Sequence, residues 1–115
     1  MTLRLARKQA LKSQFRYRVG AVIVSSGRII SAGFNSIRYS KVPFRVKKPF
    51  PESLHAEQAA ILRALHETSG DTRVFRSSTM FVARIKRDGS FGCAKPCPTC
   101  ESFIKAVGIK KVIHT

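Results

Sequence analysis

Apolar residues recur along this chain with two different periods, and the switches between them outline its elements. Leu3, Ala6, Ala10 and Leu11 fall at helical spacing within residues 3 to 14, with Arg and Lys between them, which predicts a basic amphipathic helix lying on a sheet. Val19 to Ser25 and Arg28 to Gly33 are β-rich runs split by Ser26-Gly27, a short loop whose glycine tolerates positive φ, so the two read as a hairpin. From Phe34 to Glu52 no period persists, and Pro43, Pro49, Pro51 and five basic residues interrupt the chain, marking a long connection of the kind that faces substrate. Ser53 can cap a helix starting at Leu54, which Ala59, Ala60, Ile61, Leu62, Ala64 and Leu65 make apolar enough to be largely buried. Thr79 to Ile85 predicts a third strand and Arg87-Asp88-Gly89-Ser90 a turn. Cys97 to Val107 then predicts a third helix, ended by Gly108 in a left-handed cap, and Lys110 to His114 a fourth strand. A helix lying between two strands implies parallel pairing through a right-handed crossover, hence an α/β fold with a mixed sheet of four or five strands.

Composition narrows the setting. At 115 residues, 43% of them hydrophobic, the chain has room for a single domain, 1–115, with a modest core, and association with copies of itself is expected to help it. The longest apolar stretches are strand-sized, such as Ala21-Val22-Ile23-Val24, so no membrane partner is expected. The Arg-rich start resembles a transit peptide superficially, but no signal-peptide apolar segment follows, and it reads as part of the fold. Three cysteines cannot all pair in disulfides, and a Cys-x-x-Cys pair suits metal or redox work in a reducing, cytoplasmic setting.

Charge changes the picture more. The chain holds 22 Lys and Arg against 6 Asp and Glu, a net +16, beyond what solubility requires. Residues 1 to 51 carry 12 of those bases and no acid, so the basic face is mostly N-terminal. A phosphate-bearing or polyanionic partner follows from that exclusion, with a merely solvated surface as the alternative.

The candidate chemistry sits at two helix starts. Pro96-Cys97-Pro98-Thr99-Cys100 places two thiols three residues apart on one helix face, with Pro98 at the first helical position, where its missing N–H costs nothing. Helix N-termini carry partial positive charge, expected to lower thiol pKa values and favour the thiolates that zinc takes. His55-Ala56-Glu57 supplies an imidazole and a carboxylate at the other helix start. His55, Cys97 and Cys100 make three ligands, and a tetrahedral zinc with three protein ligands keeps its fourth position for water, as catalytic sites do. His66, His114 or Cys93 as a fourth ligand would close the site into a structural one, and a thioredoxin-like redox role is the other alternative for the Cys-x-x-Cys. A His-x-Glu followed by Pro-Cys-x-x-Cys is the signature of zinc deaminases, in which the glutamate moves protons and is not a ligand. Cys93 reads as a small half-buried residue without a site role.

With these motifs in order, the chain resembles the cytidine and deoxycytidylate deaminase family over essentially its whole length. Gly20-Ala21-Val22-Ile23-Val24, Gly33-Phe34-Asn35, His55-Ala56-Glu57, Lys95-Pro96-Cys97-Pro98-Thr99-Cys100 and Gly108-Ile109-Lys110-Lys111-Val112 follow the family's sequence of segments. The resemblance implies a three-layer α/β/α sandwich, one Zn²⁺ per chain, sugar contact by Asn35, and base contact near Ala56 and Pro96. It also implies a further helix and strand after the fourth strand, which the 115 residues do not include. With no Cys or His between Gly33 and Leu54, the second, structural zinc of some deoxycytidylate deaminases is not expected.

The reaction expected is hydrolytic deamination of a cytosine nucleotide, with Glu57 as general acid and base. The reading favours dCMP, with Arg38, Lys41, Arg45, Lys47 or Lys48 holding a phosphate. The alternative is cytosine or adenine within RNA or single-stranded DNA, which the charge suits and for which Phe15, Tyr17, Phe34, Tyr39, Phe44 and Phe50 offer stacking rings, although core packing explains most aromatics. A basic nucleic-acid-binding module with structural zinc is a third reading, and it leaves Glu57 without a purpose.

Overall fold

The computed structural model describes residues 2–14, 17–38 and 52–115. Its elements are α1 (Thr2–Ala10), β1 (Arg18–Ser25), β2 (Arg28–Phe34), β3 (Ser36–Arg38), β4 (Glu52–Leu54), α2 (Ala56–Glu67), a 3-10 helix (Thr72–Ser77), β5 (Ser78–Ile85), β6 (Phe91–Gly92), α3 (Pro98–Val107) and β7 (Lys111–His114). The main sheet has five strands. β1 lies at its centre, antiparallel to β2 and to β5. The far edge of β5 is shared, with β7 parallel along its first half and β6 antiparallel along its second. The expected mixed sheet and the parallel pair flanking α3 are both present.

Both faces of this sheet are covered, which is why Ala21 to Val24 is apolar without a break. Ala21 and Ile23 face a core built with Ala60, Ile61, Phe75, Met80, Val82 and Ile104, beneath α2 and α3. Val22 and Ala83 face the opposite way, against Ala6 and Leu5 of α1. Helices therefore lie on both sides, giving the α/β/α sandwich. Two glycines on neighbouring strands let them come close. A Cβ on Gly20 would collide with the Ala6 carbonyl and the Ala10 amide of α1, and one on Gly33 would lie 2.6 Å from Ala60 N and 2.9 Å from Ala56 O of α2.

Several boundaries differ from the sequence expectation. α1 stops at Ala10 instead of residue 14, because its last turn tightens into i to i−3 bonds from Lys12 to Gln9 and from Ser13 to Ala10, both at 3.0 Å. Ser53 does not cap a helix at Leu54. Leu54 pairs with Ser36, Ser53 with Ile37 and Glu52 with Arg38 in a small separate ladder, and α2 starts two residues later behind His55. The third helix behaves as its residues dictate, with Cys97 as N-cap, Pro98 in the first turn and Gly108 left-handed at φ 99°. Among the described residues no helix is long and apolar enough to cross a membrane.

Candidate active site

The starts of α2 and α3 meet on the same face of the sheet. His55 is the N-cap of α2 in extended conformation. Its backbone is fixed there from both sides, since its N–H donates to Gln58 Oε1 at 3.1 Å and its carbonyl accepts from Ala59 N at 2.9 Å. The ring is thus available to the neighbouring helix. Cys97 is the N-cap of α3, its sulfur accepting from Cys100 N at 3.5 Å, while its carbonyl takes the first helical bond from Glu101 N at 2.8 Å.

From these two anchors the side chains converge. His55 Nδ1 lies 3.1 Å from Cys100 Sγ and 3.7 Å from Cys97 Sγ. The usual zinc–nitrogen and zinc–sulfur bond lengths at a tetrahedral angle give a nitrogen–sulfur separation of about 3.6 Å, so the donors already stand near the spacing that zinc needs. They form the one cluster of potential metal ligands found among the described residues. His66 and His114 are exposed and lie outside it, as does Cys93.

Electrostatics make the same demand for a cation. Cys100 is fully buried, and burial pushes its thiol well above the ordinary range, with the Glu57 carboxylate and then Cys97 adding to the shift. At Cys100 this runs against the expectation that the helix N-terminus lowers the thiol pKa. Two sulfurs and a carboxylate crowded at one buried point suit a divalent ion, whose charge favours the thiolates.

Beside the cluster lies a cleft of about 350 Å³, lined by Tyr17, Val19, Asn35, His55, Ala56, Glu57, Cys93, Ala94, Lys95 and Cys97, of a size suited to a small molecule. Glu57, in the first turn of α2, is only 5% exposed, yet it reaches this cleft. Ala56 lines it as expected. Asn35 does too, but its amide is largely engaged, since Oδ1 accepts from Val19 N at 2.9 Å and Nδ2 donates to the Tyr17 carbonyl at 2.6 Å.

Two expectations change. Pro96 is not among the residues lining the cleft; it borders a neighbouring hollow with Ile104, Ile109 and His114, and Lys95 lines both. Cys93 is exposed on the cleft wall instead of half-buried. Ala94 and Lys95 line the cleft without having been expected there, whereas Tyr17 is one of the rings expected to offer stacking. Among the phosphate candidates, Lys41, Arg45, Lys47 and Lys48 lie outside the described residues, as does the side chain of Arg38.

The comparisons agree with this geometry. The family model of the cytidine and deoxycytidylate deaminase zinc-binding region matches residues 1–115. No curated protein sequence matches the chain significantly. Among solved structures, the dCMP deaminase of cyanophage S-TIM5 in its apo form is 26% identical, with a TM-score of 0.66, over 97% of this chain and 77% of that one. The same phage enzyme in complex with dCMP and dUMP is 25% identical, with a TM-score of 0.64, over 98% of this chain and 74% of that one. The cytidine deaminase of Mycobacterium tuberculosis, at 24% identity and a TM-score of 0.59, covering 98% of this chain and 80% of that one, shares the fold. A three-ligand cluster, a buried glutamate beside it and a match along the whole length thus lead to one family, and the chain belongs to the zinc-binding cytidine and deoxycytidylate deaminases, which are hydrolytic deaminases.

Proposed function

We propose that the protein converts a cytosine mononucleotide, dCMP, to the uracil nucleotide with release of ammonia, using Glu57 for proton transfer and His55, Cys97 and Cys100 as zinc ligands. The observation that carries this reading is the placement of Glu57, a nearly buried carboxylate on the wall of the cleft that His55 and Cys97 also line. A structural metal site has no use for it. When bound, zinc supplies Lewis acidity that brings a water's pKa down from near 16 to roughly 7 to 9.

The chain's own residues do the rest. Glu57 accepts one proton from the attacking water as its oxygen bonds to ring carbon C4, and delivers that proton to ring nitrogen N3. The second water proton goes by the same carboxylate to the exocyclic amine, the C4–N bond breaks, and ammonia leaves with the carbonyl in place. Such acid–base transfer accounts for about 10² to 10⁴ in rate. Ala56 walls the cleft at the base. Asn35 keeps one amide hydrogen for the sugar while it ties the end of β2 to the start of β1. Lys95 is the only Lys or Arg among the described residues that line the cleft, and it supplies a counter-charge for one phosphate.

The position of the α1 bases favours a mononucleotide over a nucleic-acid strand. The basic residues Arg4, Arg7, Lys8 and Lys12 belong to α1 and the turn after it, and α1 packs on the sheet face opposite α2 and α3. A strand tracked by many phosphates would need them at the cleft. The phage enzyme with dCMP and dUMP supports the same choice. Product analysis of the zinc-loaded protein against dCMP, cytidine, dCTP and an oligonucleotide tests it. The expected result is turnover of dCMP with a shallow dependence of apparent affinity on salt. Turnover of the oligonucleotide alone, with a log–log slope near 0.7 per phosphate contacted, would refute the choice of substrate.

A further inference from the structure

One stretch of the cleft wall is held at a single point. From Gly92, the end of β6, to Cys97, the N-cap of α3, the chain runs through Cys93, Ala94, Lys95 and Pro96 without regular structure. Cys93, Ala94 and Lys95 line the cleft. Among the described residues, the one hydrogen bond made by segment 93–96 runs from Ala94 N to the main-chain oxygen of Thr115, at 3.3 Å. Lys95 lines both the cleft and the neighbouring hollow, so its ammonium has two places to lie, and the backbone beside it decides between them.

Thr115 stands where the edge of β5 passes from β7 to β6. Its N–H donates to the Val82 carbonyl at 3.1 Å, one rung beyond the pairing of Val82 with His114. Its hydroxyl accepts from Arg84 N at 3.2 Å and donates to the Gly92 carbonyl at 2.6 Å. Arg84 and Gly92 face each other across the β5–β6 ladder, and a hydroxyl, being donor and acceptor at once, can serve the N–H of one strand and the carbonyl of the other. Because β6 has only two residues, this side chain is a large part of what fixes its end. Thr115 therefore grips the wall twice, at Gly92 through its side chain and at Ala94 through its main chain.

We propose that Thr115 is a positioning residue for the substrate's phosphate: through Gly92 and Ala94 it fixes segment 93–96 and keeps the ammonium of Lys95 at the cleft instead of the neighbouring hollow. The inference rests on the reading of Lys95 as the counter-charge for that phosphate. Such a contact is remote from the ring carbon that reacts and is made alike in the ground and transition states, so displacing Lys95 raises KM and leaves kcat nearly unchanged. The metal ligands are spared, because Cys97 and Cys100 are fixed within the first turn of α3.

Thr115→Val keeps the shape of the side chain and removes its hydroxyl. In the zinc-loaded protein it is expected to raise KM for dCMP by about fivefold with kcat nearly unchanged, and Thr115→Ser to recover most of the loss. Lys95→Ala is expected to raise KM by about tenfold, and Thr115→Val to add nothing in that background, where a merely structural contribution would persist. A second readout is independent of activity: amide hydrogen exchange at Ala94, followed by NMR, is expected to quicken by about tenfold in Thr115→Val and to stay near the wild-type rate in Thr115→Ser. Unchanged exchange at Ala94 in Thr115→Val overturns the clamp. A rise in KM undiminished in Lys95→Ala, or a loss carried by kcat, overturns the route through Lys95. If Lys95→Ala itself leaves KM unchanged, it is the counter-charge reading that falls, whereas a raised KM in Lys95→Ala with no effect of Thr115→Val sinks this inference alone.

Discussion

A single methyl group at Gly33 is expected to damage catalysis more than stability. The Cβ of Gly33→Ala would lie 2.6 Å from Ala60 N, 2.8 Å from Ala59 Cβ and 2.9 Å from Ala56 O. Two of these atoms are helix backbone and have no flexible end to swing aside, so α2 must shift by roughly 0.5 to 1 Å; overpacking of this size costs about 1 to 3 kcal/mol. At about 4 °C per kcal/mol for a chain of this length, the melting temperature should fall by about 4 to 12 °C. Ala56 is the first residue of α2, so the shift is delivered at His55 and Glu57, where misplacement near 1 Å costs about 10²-fold in rate. Gly20→Ala is the matched control, because its methyl group meets α1 on the opposite face. Thermal unfolding and kcat of both zinc-loaded variants, measured well below either melting point, are the assay. If Gly33→Ala loses no more activity than Gly20→Ala at a comparable loss of stability, the coupling between this contact and the site is refuted.

Glu57→Gln keeps the shape of the side chain and removes its proton chemistry, so it should retain zinc and fold while kcat falls by at least about 10²; near-normal turnover in the zinc-loaded variant would end the proposed mechanism. His55→Ala, Cys97→Ala and Cys100→Ala should each lose zinc and melt at lower temperature, because ligand binding contributes to folding free energy, whereas Cys93→Ser, outside the ligand cluster, should bind one zinc. Stoichiometric metal in Cys100→Ala contradicts the ligand assignment. Asp71 caps the 3-10 helix and is held by Arg73 at 2.9 Å, and hydrogen bonds from Arg73 lower its pKa from 3.8 to about 2. A depressed folded-state pKa means that its stabilising contribution is present above the unfolded value and is lost as pH falls from about 4 toward 2. A carboxyl titration followed by NMR should find that midpoint, and Arg73→Ala should return it toward 3.8.

What the sequence made legible was chemistry carried by local rules. Cys97, Pro98 and Cys100 specify a helix start in which a thiol caps, a proline fits and a second thiol falls on the same side. The hairpin of β1 and β2 turns at Ser26-Gly27 as expected, with Gly27, and Ser26 as well, at positive φ. What was not legible depends on partners distant in the chain. Ser53 has the composition of a cap, but the ladder to residues 36–38 claims residues 52–54, and no window around Ser53 contains those partners. The two-residue β6 exists because Gly92 and Phe91 pair with Arg84 and Ile85, and it is too short to leave a period. The burial of Cys100, and then Glu57, 43 positions away in sequence, push its thiol upward, and neither was legible in the local sequence.

The ladder of β3 and β4 also separates two kinds of inheritance. Arg38 and Glu52 stand across from each other, and three residues after Glu52 comes His55, already fixed by Gln58 and Ala59. The ends of that stretch are therefore paired at a fixed gauge, immediately ahead of the helix bearing the histidine and the glutamate. The sequence expectation that the connection from Phe34 to Glu52 faces substrate makes residues 39 to 51 the stretch to exchange in a test of substrate preference. In a laboratory setting the same two rungs are natural seams for grafting that stretch from one deaminase to another.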